Sequence, residues 1–352
     1  MKYPYEWNLA DGYIMPRNGY KVFSTFACGG GSTMGYKLAG FEMLGICEID
    51  PQMARIYKQN HKPKMVYLED IRVFRKREDL PVELFNLDIL DGSPPCSSFS
   101  TAGNREKDWG KEKQFREGQA KQRLDDLFFE YIALVKRLQP KVAVAENVSG
   151  LLKGAAKGYV KEIQAAFKDA GYDLQVFLFN AASMGVPQKR QRSFFIARRS
   201  DLNLPSLKCD FDDKPIAFGQ VRDTDGIGLK KLSSNDKQII KQRQPGDKDF
   251  SDISMRTRNK AIGFSHKFVY DNQICNTLDA TSILIAVSEN RTFTKSELQK
   301  CGTFPQDYDF MDADPKYVIG MSVPPVMTAR IAEQIQWQWL DKLEANNAGQ
   351  TI

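Results

Sequence analysis

Short apolar runs alternate with amphipathic segments through the first 199 residues of the chain. Such runs begin at Val22, Met43, Met65 and Leu87, and each ends in glycine, proline or acidic residues, which is typical of buried strands. Helical spacing follows several of them and is clearest in the apolar stripe of residues 127–138. This rhythm predicts consecutive βα units, and hence an α/β fold whose mainly parallel sheet carries helices on both faces.

The rhythm ends after Arg199. Short β-like pieces then lie among Gly, Asp, Lys and Ser residues, and basic residues are matched in number by acidic ones. Regular patterns return at Thr294, whose spacing to Glu297 predicts a capped helix, and a last helix is expected after Pro325. The predicted domains are a catalytic domain over 1–199 with its first ~19 residues as an extension, a small irregular β-rich domain over 200–305, and a returning C-terminal segment over 306–352.

Composition excludes several kinds of chemistry. The six cysteines stand singly and form no CxxC pair, so neither a disulfide framework nor a cysteine zinc site is expected. His61 and His266 are the two histidines, too few for a histidine metal site or a Ser-His-Asp triad, and we expect no metal. No apolar run approaches the ~20 residues of a membrane span, so we expect a reducing, cytoplasmic setting. The net charge of +6 permits a polyanionic partner without requiring one.

Polar residues follow the first two apolar runs at the edge where parallel strands end. The first run leads into Cys28 and the glycine turn 29–31, ahead of a helical pattern. A glycine cluster by itself favours a plain tight turn. Glu48, however, lies 20 positions after Cys28, where Rossmann-like folds place the acid that binds ribose hydroxyls. Turn and acid together predict an adenosine-containing ligand.

Two further acids end later runs at the same predicted edge. Asp70 is placed either to accept a hydrogen bond from an adenine amino group or to cap the next helix, and both alternatives stay open. Glu146 ends the strand predicted from residue 141. Several βα units that present polar groups at one edge favour a ligand site over chance.

Cys96 follows two prolines at the end of the strand predicted from Leu87. A cysteine there is a candidate nucleophile, whereas taken alone it would more simply be an inert buried thiol. Residues 97–123 are rich in glycine and basic residues and show no apolar periodicity. They suggest either a lid that closes over an anionic substrate or a solvated surface insertion.

Arg190 and Arg192 stand two positions apart at the entrance of another predicted strand. Side chains at that spacing can point to one face, where arginines suit a phosphate or a base carbonyl. A surface pair of salt bridges is the simpler alternative when the two are considered alone.

In chain order these motifs resemble the C5-cytosine DNA methyltransferase family, over roughly Val22 to Gln334. The residues that carry the resemblance are Phe26-Ala27-Cys28-Gly29-Gly30-Gly31, Pro95-Cys96, Glu146-Asn147-Val148, Gln188-Lys189-Arg190-Gln191-Arg192 and Gly320-Met321-Ser322-Val323. The family usually has Gly in place of Cys28 and Asn in place of Met321. The resemblance implies a Rossmann-like S-adenosylmethionine-dependent methyltransferase sheet and a smaller target-recognition domain.

The resemblance also implies roles for individual residues. Cys96 would attack C6 of a flipped-out cytosine, Glu146 would bind N3, and Arg192 would hold the base carbonyl with Arg190 in support. Contacts with S-adenosylmethionine would come from Phe26, Cys28, Gly29, Gly30, Gly31, Glu48, Ile49, Asp70, Ile71, Pro95, Leu127, Ser322 and Val323. Contacts with DNA would come from Ser97, Ser100, Arg190, Arg256, Arg258 and Thr277.

The resemblance implies double-stranded DNA as the partner and no association with a membrane. We expect the protein to act as a monomer in a prokaryotic or phage-infected cell. The biological role remains open: the enzyme could accompany a restriction endonuclease, protect the genome of a phage, or act as a solitary enzyme. Three other functions compete: methylation of RNA cytosine, DNA binding without catalysis, and a nicotinamide dehydrogenase. The long segment after Arg199 favours DNA over RNA, and intact Cys96, Glu146 and Arg192 favour catalysis.

Overall fold

A computed structural model describes residues 3–95, 112–113, 122–123, 126–152, 157–224 and 226–349. The chain forms two compact units, which we call the sheet unit and the second unit. The sheet unit comprises Tyr13–Phe179, Gln191–Asp210 and Thr328–Ile352. The second unit comprises Met1–Gly12, Asn180–Arg190 and Phe211–Met327.

The first half of the sheet unit alternates strands with helices, as the apolar rhythm predicts. Its elements are β1 (Lys21–Thr25), α1 (Gly31–Leu38), β2 (Glu42–Glu48), α2 (Pro51–His61), β3 (Met65–Leu68), α3 (Ile71–Phe74) and β4 (Ile89–Gly92). The following elements are β5 (Glu112–Lys113), β6 (Gln122–Arg123), α4 (Leu127–Leu138), β7 (Val142–Val148), α5 (Lys157–Asp169), β8 (Tyr172–Asn180) and β9 (Gln191–Arg199).

Seven strands form one sheet in the order β3-β2-β1-β4-β7-β9-β8. Strands β3, β2, β1, β4 and β7 run parallel, and β9 runs antiparallel to β7. The strand order reverses between β1 and β4. Doubly wound sheets bind their ligands in the crevice at such a switch point, beyond the carboxyl ends of the strands.

Helices cover both faces of this sheet, which confirms the predicted fold class. Phe23 and Cys47 belong to a large apolar cluster, together with residues of α3, α4 and α5. Ile46 belongs instead to a separate cluster with Tyr57 of α2. Because successive strand side chains point to opposite faces, these clusters lie on the two sides of β2.

The second unit contains most of the region predicted to be irregular and β-rich. Its elements are α6 (Ser234–Lys241), α7 (Phe250–Arg258), β10 (His266–Val269), β11 (Ile283–Ala286), β12 (Arg291–Thr292), α8 (Lys295–Gly302) and α9 (Pro315–Met321). The three strands form a small sheet in the order β10-β11-β12. Apolar residues of α6, α7 and this sheet share one core. Helices thus contribute more here than the sequence pattern indicates.

The chain ends in helices, as predicted. Helix α10 (Pro325–Ile335) continues through one π-helical stretch, Gln336–Leu340, into α11 (Asp341–Gly349). Thr294 caps α8 through the predicted box with Glu297. Within residues 97–123, which show no apolar periodicity, β5 and β6 pair as a short antiparallel ladder. The rest of 97–123, on which the lid prediction falls, lies outside the described residues.

Candidate active site at the carboxyl edge of the sheet

The loop between β1 and α1 lies at the switch point of the sheet. Phe26 and Cys28 both have positive φ angles, 55° and 48°, a backbone conformation that costs an L-residue about 1–2 kcal/mol. The Cys28 amide donates to Oε2 of Glu48 over 2.8 Å, and its thiol contacts the sulfur of Met53. Cys28 therefore reproduces the backbone shape that glycine usually supplies, with its side chain turned towards α2.

Glu48 ties this loop to the end of β2. Its two carboxylate oxygens accept the amides of Cys28 and Asp50, over 2.8 and 2.9 Å. Burial raises the pKa of Glu48, while these backbone hydrogen bonds oppose the rise. The acid predicted to bind ribose is thus buried and held in one orientation beside the glycine turn.

Gly30 is where the loop enters α1, and a side chain at this position would be strained and crowded. Its φ is 83°, and an added Cβ would lie 2.3 Å from Nε2 of His61. The same nitrogen lies 3.1 Å from the carbonyl oxygen of Gly29. Burial lowers the pKa of His61 to about 3, so the ring is neutral and can donate this hydrogen bond. His61 therefore stabilises the loop through its hydrogen bond to the Gly29 carbonyl oxygen.

We expect Gly30→Ala to lower the free energy of unfolding by roughly 2–4 kcal/mol, through left-handed strain and collision with His61. Gly171→Ala is the matched control, since Gly171 has φ 89° and open space around its Cβ position. That control should lose only about 1 kcal/mol. Urea unfolding measures both, and equal losses would show that the His61 contact does not restrict the loop.

A small pocket opens beside this loop, at the carboxyl ends of β2 and β3. The residues that line it are Phe26, Cys47, Ile49, Glu69, Asp70, Ile71 and Leu127. Five of them were predicted to contact the methyl donor. The sequence analysis does not predict Cys47 and Glu69 as contacts. Each is next to a predicted residue in the chain, and this proximity is the signal that could have found them. Apolar side chains with acids at the rim are the surroundings that the predicted adenine contact would need, and that contact stays a prediction.

Asp70 caps the helix that follows it, which was one of the two predicted alternatives. Oδ1 accepts the Arg72 amide over 2.7 Å, and Oδ2 pairs with the Arg72 guanidinium over 3.0 Å. The residue also lines the pocket. Capping therefore leaves the adenine contact possible in the same place, and that contact stays a prediction.

Glu146 and Arg192 form an ion pair near the end of β7. Antiparallel pairing puts Val148 opposite Arg192 and Glu146 opposite Phe194, so the two charged residues are diagonal neighbours on one face. Nε of Arg192 lies 2.9 Å from Oε1 of Glu146, and the side chains are 17% and 13% exposed. Two residues 46 positions apart in the chain are thus brought together and largely shielded from solvent.

Asn147 connects the end of β7 to the segment that leads to the predicted nucleophile. Its side-chain amide donates to the carbonyl oxygen of Pro94 over 3.1 Å, and its own carbonyl accepts from Ser193. Pro95, a predicted donor contact, is the last described residue of this segment. Three predicted site residues lie outside the described residues: Cys96, Ser97 and Ser100.

Arg190 belongs to the second unit and is 2% exposed. Its terminal nitrogens donate to the carbonyl oxygens of Leu278 and Gly320, over 2.8 and 3.0 Å. A guanidinium so buried holds chain segments together. Its predicted contact with DNA and its predicted support of Arg192 stay predictions.

Ser322 and Val323 are also buried in the second unit, 4% and 5% exposed. The Ser322 hydroxyl donates to the Val318 carbonyl oxygen over 2.8 Å. Met321, where the family usually has Asn, is 45% exposed at the end of α9. The predicted donor contacts of Ser322 and Val323 remain predictions.

The predicted DNA contacts near α7 separate into two kinds. Arg256 forms two hydrogen bonds of 2.8 and 2.9 Å with Asp247 and a third with the Gln242 carbonyl, which favours a structural role. Arg258 is exposed at the end of α7. Thr277 donates to the Lys189 carbonyl oxygen. Of these three, Arg258 is the one best placed to meet a phosphate or a base.

Comparison with known proteins identifies the family of the chain. The family model for C-5 cytosine-specific DNA methylases matches residues 20–337. The chain belongs to this family. The match confirms the resemblance drawn from the motifs, and with it DNA cytosine-5 methyl transfer as the family activity. A nicotinamide dehydrogenase is thereby excluded.

Two relatives and one solved structure illustrate the likeness. Type II methyltransferase M.DdeI of Desulfomicrobium norvegicum is 29% identical over 380 residues, covering 90% of this chain and 88% of that relative. Type II methyltransferase M.FnuDI of Fusobacterium nucleatum is 37% identical over 188 residues, which span 53% of this chain and 49% of that relative. A mutant of Spodoptera frugiperda DNMT2 shares the fold, with a TM-score of 0.63 and 16% identity over 90% of this chain and 99% of its own.

Among the described residues, no helix has both the length and the apolar character needed to cross a membrane.

Proposed function

We propose that this protein transfers a methyl group from S-adenosylmethionine to C5 of a cytosine flipped out of a specific duplex DNA sequence. Cys96 forms a covalent bond to C6 during the reaction, Glu146 binds N3, and Arg192 holds Glu146 and the base carbonyl. Double-stranded DNA is the substrate, and the Type II relatives make a companion restriction endonuclease a natural partner.

The residues at the carboxyl ends of β1, β2 and β3 suit S-adenosylmethionine. Glu48 would bind the ribose hydroxyls, and the pocket beside Ile49 and Leu127 would hold the adenine, with Asp70 at its amino group. The glycine turn would let its backbone approach the donor closely at the start of α1. When bound, the donor supplies an electrophilic methyl group on a sulfonium.

Cytosine C5 is a weak nucleophile until C6 has been attacked. The Cys96 thiolate adds to C6 while Glu146, in its protonated form, transfers its proton to N3, so the electron pair moves towards C5. C5 then attacks the methyl group, which the bound donor would give up with its sulfur left as a neutral thioether. A base removes the C5 proton, the C6–sulfur bond breaks to restore the thiolate, and N3 returns its proton to Glu146. Water is one candidate for that base.

The ion pair of Glu146 and Arg192 is the observation that carries the proposal. Charged pairs this far removed from water rarely add stability beyond what apolar residues of the same size would give. Their presence at the carboxyl edge, beside the Asn147–Pro94 contact, therefore favours a chemical use. Arg192 holds Oε1 of Glu146, and we assign the other oxygen to N3 of the base.

The enzyme can reach C5 of cytosine only after the base has left the duplex, and this step costs a few kcal/mol. Exposed groups around α7 supply candidate DNA contacts in the second unit. Arg258 is exposed there, and so are the apolar side chains of Met255, Ile262 and Phe264, at 48%, 47% and 60%. A basic group among exposed apolar side chains suits contacts to phosphates and to thymine methyl groups.

The direct test is methyl transfer from tritiated S-adenosylmethionine to bacterial genomic duplex DNA and, in parallel, to transfer RNA. We expect label in DNA alone, at C5 of cytosine after nucleoside digestion. Label confined to transfer RNA would refute the choice of substrate, and binding of DNA without label in either would favour a silent relative.

A further inference from the structure

Asp91 is a buried carboxylate that links two parts of the proposed site. One is the start of α1, which follows the loop of residues 26–31, here called the donor loop. The other is the strand that leads through Pro94 and Pro95 to Cys96.

Asp91 is 5% exposed and lies near the end of β4, five positions before Cys96. Its Oδ2 accepts the hydroxyls of Ser24 and Ser32, over 2.7 and 2.8 Å. Its Oδ1 accepts the Tyr36 hydroxyl over 3.2 Å. One carboxylate thus receives three hydroxyl donors from β1 and α1.

These donors connect the two loops of the site. Ser32 follows the last glycine of the donor loop, and Tyr36 lies one turn further along α1. Asp91 itself belongs to the strand that leads to Pro94 and Cys96. Since Asp91 hydrogen-bonds both turns of α1, the start of this helix is fixed against β4 through this residue.

The charge of Asp91 is costly to bury. Burial raises its pKa to about 6, the three hydroxyl donors oppose the rise, and the negative charge of Glu146 adds to it. The other titratable groups facing it are Tyr36, Tyr57 and Tyr131, whose pKa values burial raises further above 10, so they remain neutral. At neutral pH the group is an anion surrounded by donors, and at pH 5 it is mostly protonated.

We propose that ionised Asp91 is a positioning residue that holds the start of α1, and with it the donor loop, in the conformation that binds S-adenosylmethionine. This inference rests on the proposed function of the loop. The anion accepts the Ser24 and Ser32 hydroxyls more strongly than a neutral carboxyl or amide does. Loss of the charge therefore loosens the donor loop, while the groups that contact cytosine remain in place.

The test compares Asp91→Asn with Asp88→Asn. Asp88 is a matched control because it is 7% exposed and lies just before the other end of β4, where it accepts the Lys21 amide and pairs with Lys141. Steady-state kinetics on duplex DNA give KM for S-adenosylmethionine and kcat between pH 5.5 and 8. Circular dichroism verifies that both variants are folded.

At pH 7.5 we expect Asp91→Asn to raise KM for the donor at least tenfold, with kcat within about threefold of the wild type. The wild-type KM should rise as pH falls through about 6, whereas the KM of Asp91→Asn should stay nearly constant in that range. Asp88→Asn should keep the wild-type KM and pH profile. Ser32→Ala should raise KM by less, and non-additively with Asp91→Asn.

An unchanged donor KM in Asp91→Asn, or the same rise in Asp88→Asn, would overturn the proposal. So would a wild-type pH profile that persists in Asp91→Asn. A wild type that shows no donor-dependent methyl transfer would instead refute the proposed function, so the two failures are distinguishable.

Discussion

Cys96→Ala should abolish methyl transfer, lowering the rate by roughly four orders of magnitude or more, while DNA affinity changes by only a few fold. The reason is electronic, because without addition to C6 the C5 carbon cannot attack a methyl group. Filter assays with tritiated donor give the rate, and fluorescence anisotropy of a labelled duplex gives the affinity.

Cys209→Ala is the matched control for that experiment. Cys209 is a half-buried free thiol, and burial, with the charge of Asp210, raises its pKa to about 12. It therefore stays protonated at neutral pH and cannot act as a thiolate. Substantial transfer by Cys96→Ala, or a comparable loss in Cys209→Ala, would contradict the assignment of the nucleophile.

Glu146→Gln should reduce kcat by about 10²- to 10⁴-fold, the usual contribution of a positioned acid or base. Glutamine keeps the size of the side chain but cannot deliver a proton to N3, and it leaves Arg192 without its charged partner. Single-turnover methylation of duplex DNA with saturating donor isolates this step from binding.

Glu162→Gln is the control, since Glu162 is exposed on α5. It should retain the wild-type rate. A Glu146→Gln rate within threefold of the wild type would show that N3 is not activated by this residue. Because the neighbouring Arg192 is largely buried, thermal unfolding of Glu146→Gln must also be measured to separate lost chemistry from lost folding.

Much of the sheet unit follows from local patterns in the sequence. The strands around Phe23 and Ile46 are short apolar runs bounded by turn residues, and a buried parallel strand needs little else. The capped start of α2 is equally local, with Asp50 accepting the amides of Gln52 and Met53. Acids that directly follow such strands can therefore be assigned to one edge of the sheet from the sequence alone.

Other features depend on contacts that no local pattern contains. Arg190 and Arg192 look equivalent in the sequence, yet one is fully buried against carbonyl oxygens and the other pairs with Glu146. Asp91 reads as part of an apolar strand, and its function emerges only when Ser24 and Ser32 converge on it. Tertiary burial decides such cases, because the cost of an isolated charge depends on all of its neighbours.

The second unit was harder to predict for a related reason. Helices α6 and α7 are short and largely polar. Their few buried apolar residues, Ile240, Phe250 and Ile253, share a core with residues of distant strands. Short helices of this kind draw their stability from tertiary packing and little from periodicity. The apolar pattern of the sequence therefore underestimates the helix content of the second unit.

The central claim is a covalent bond between Cys96 and C6 of cytosine, and trapping that bond tests it most directly. The methylated site is first located in genomic DNA that the protein has methylated. A duplex carrying 5-fluorocytosine at that site is then incubated with the protein and S-adenosylmethionine. Fluorine cannot leave as a cation, so elimination stops after methyl transfer. We predict a denaturation-resistant complex whose tryptic peptide, by mass spectrometry, carries the methylated fluorocytosine on Cys96. No complex with the wild type, or an equal yield with Cys96→Ala, would contradict the account.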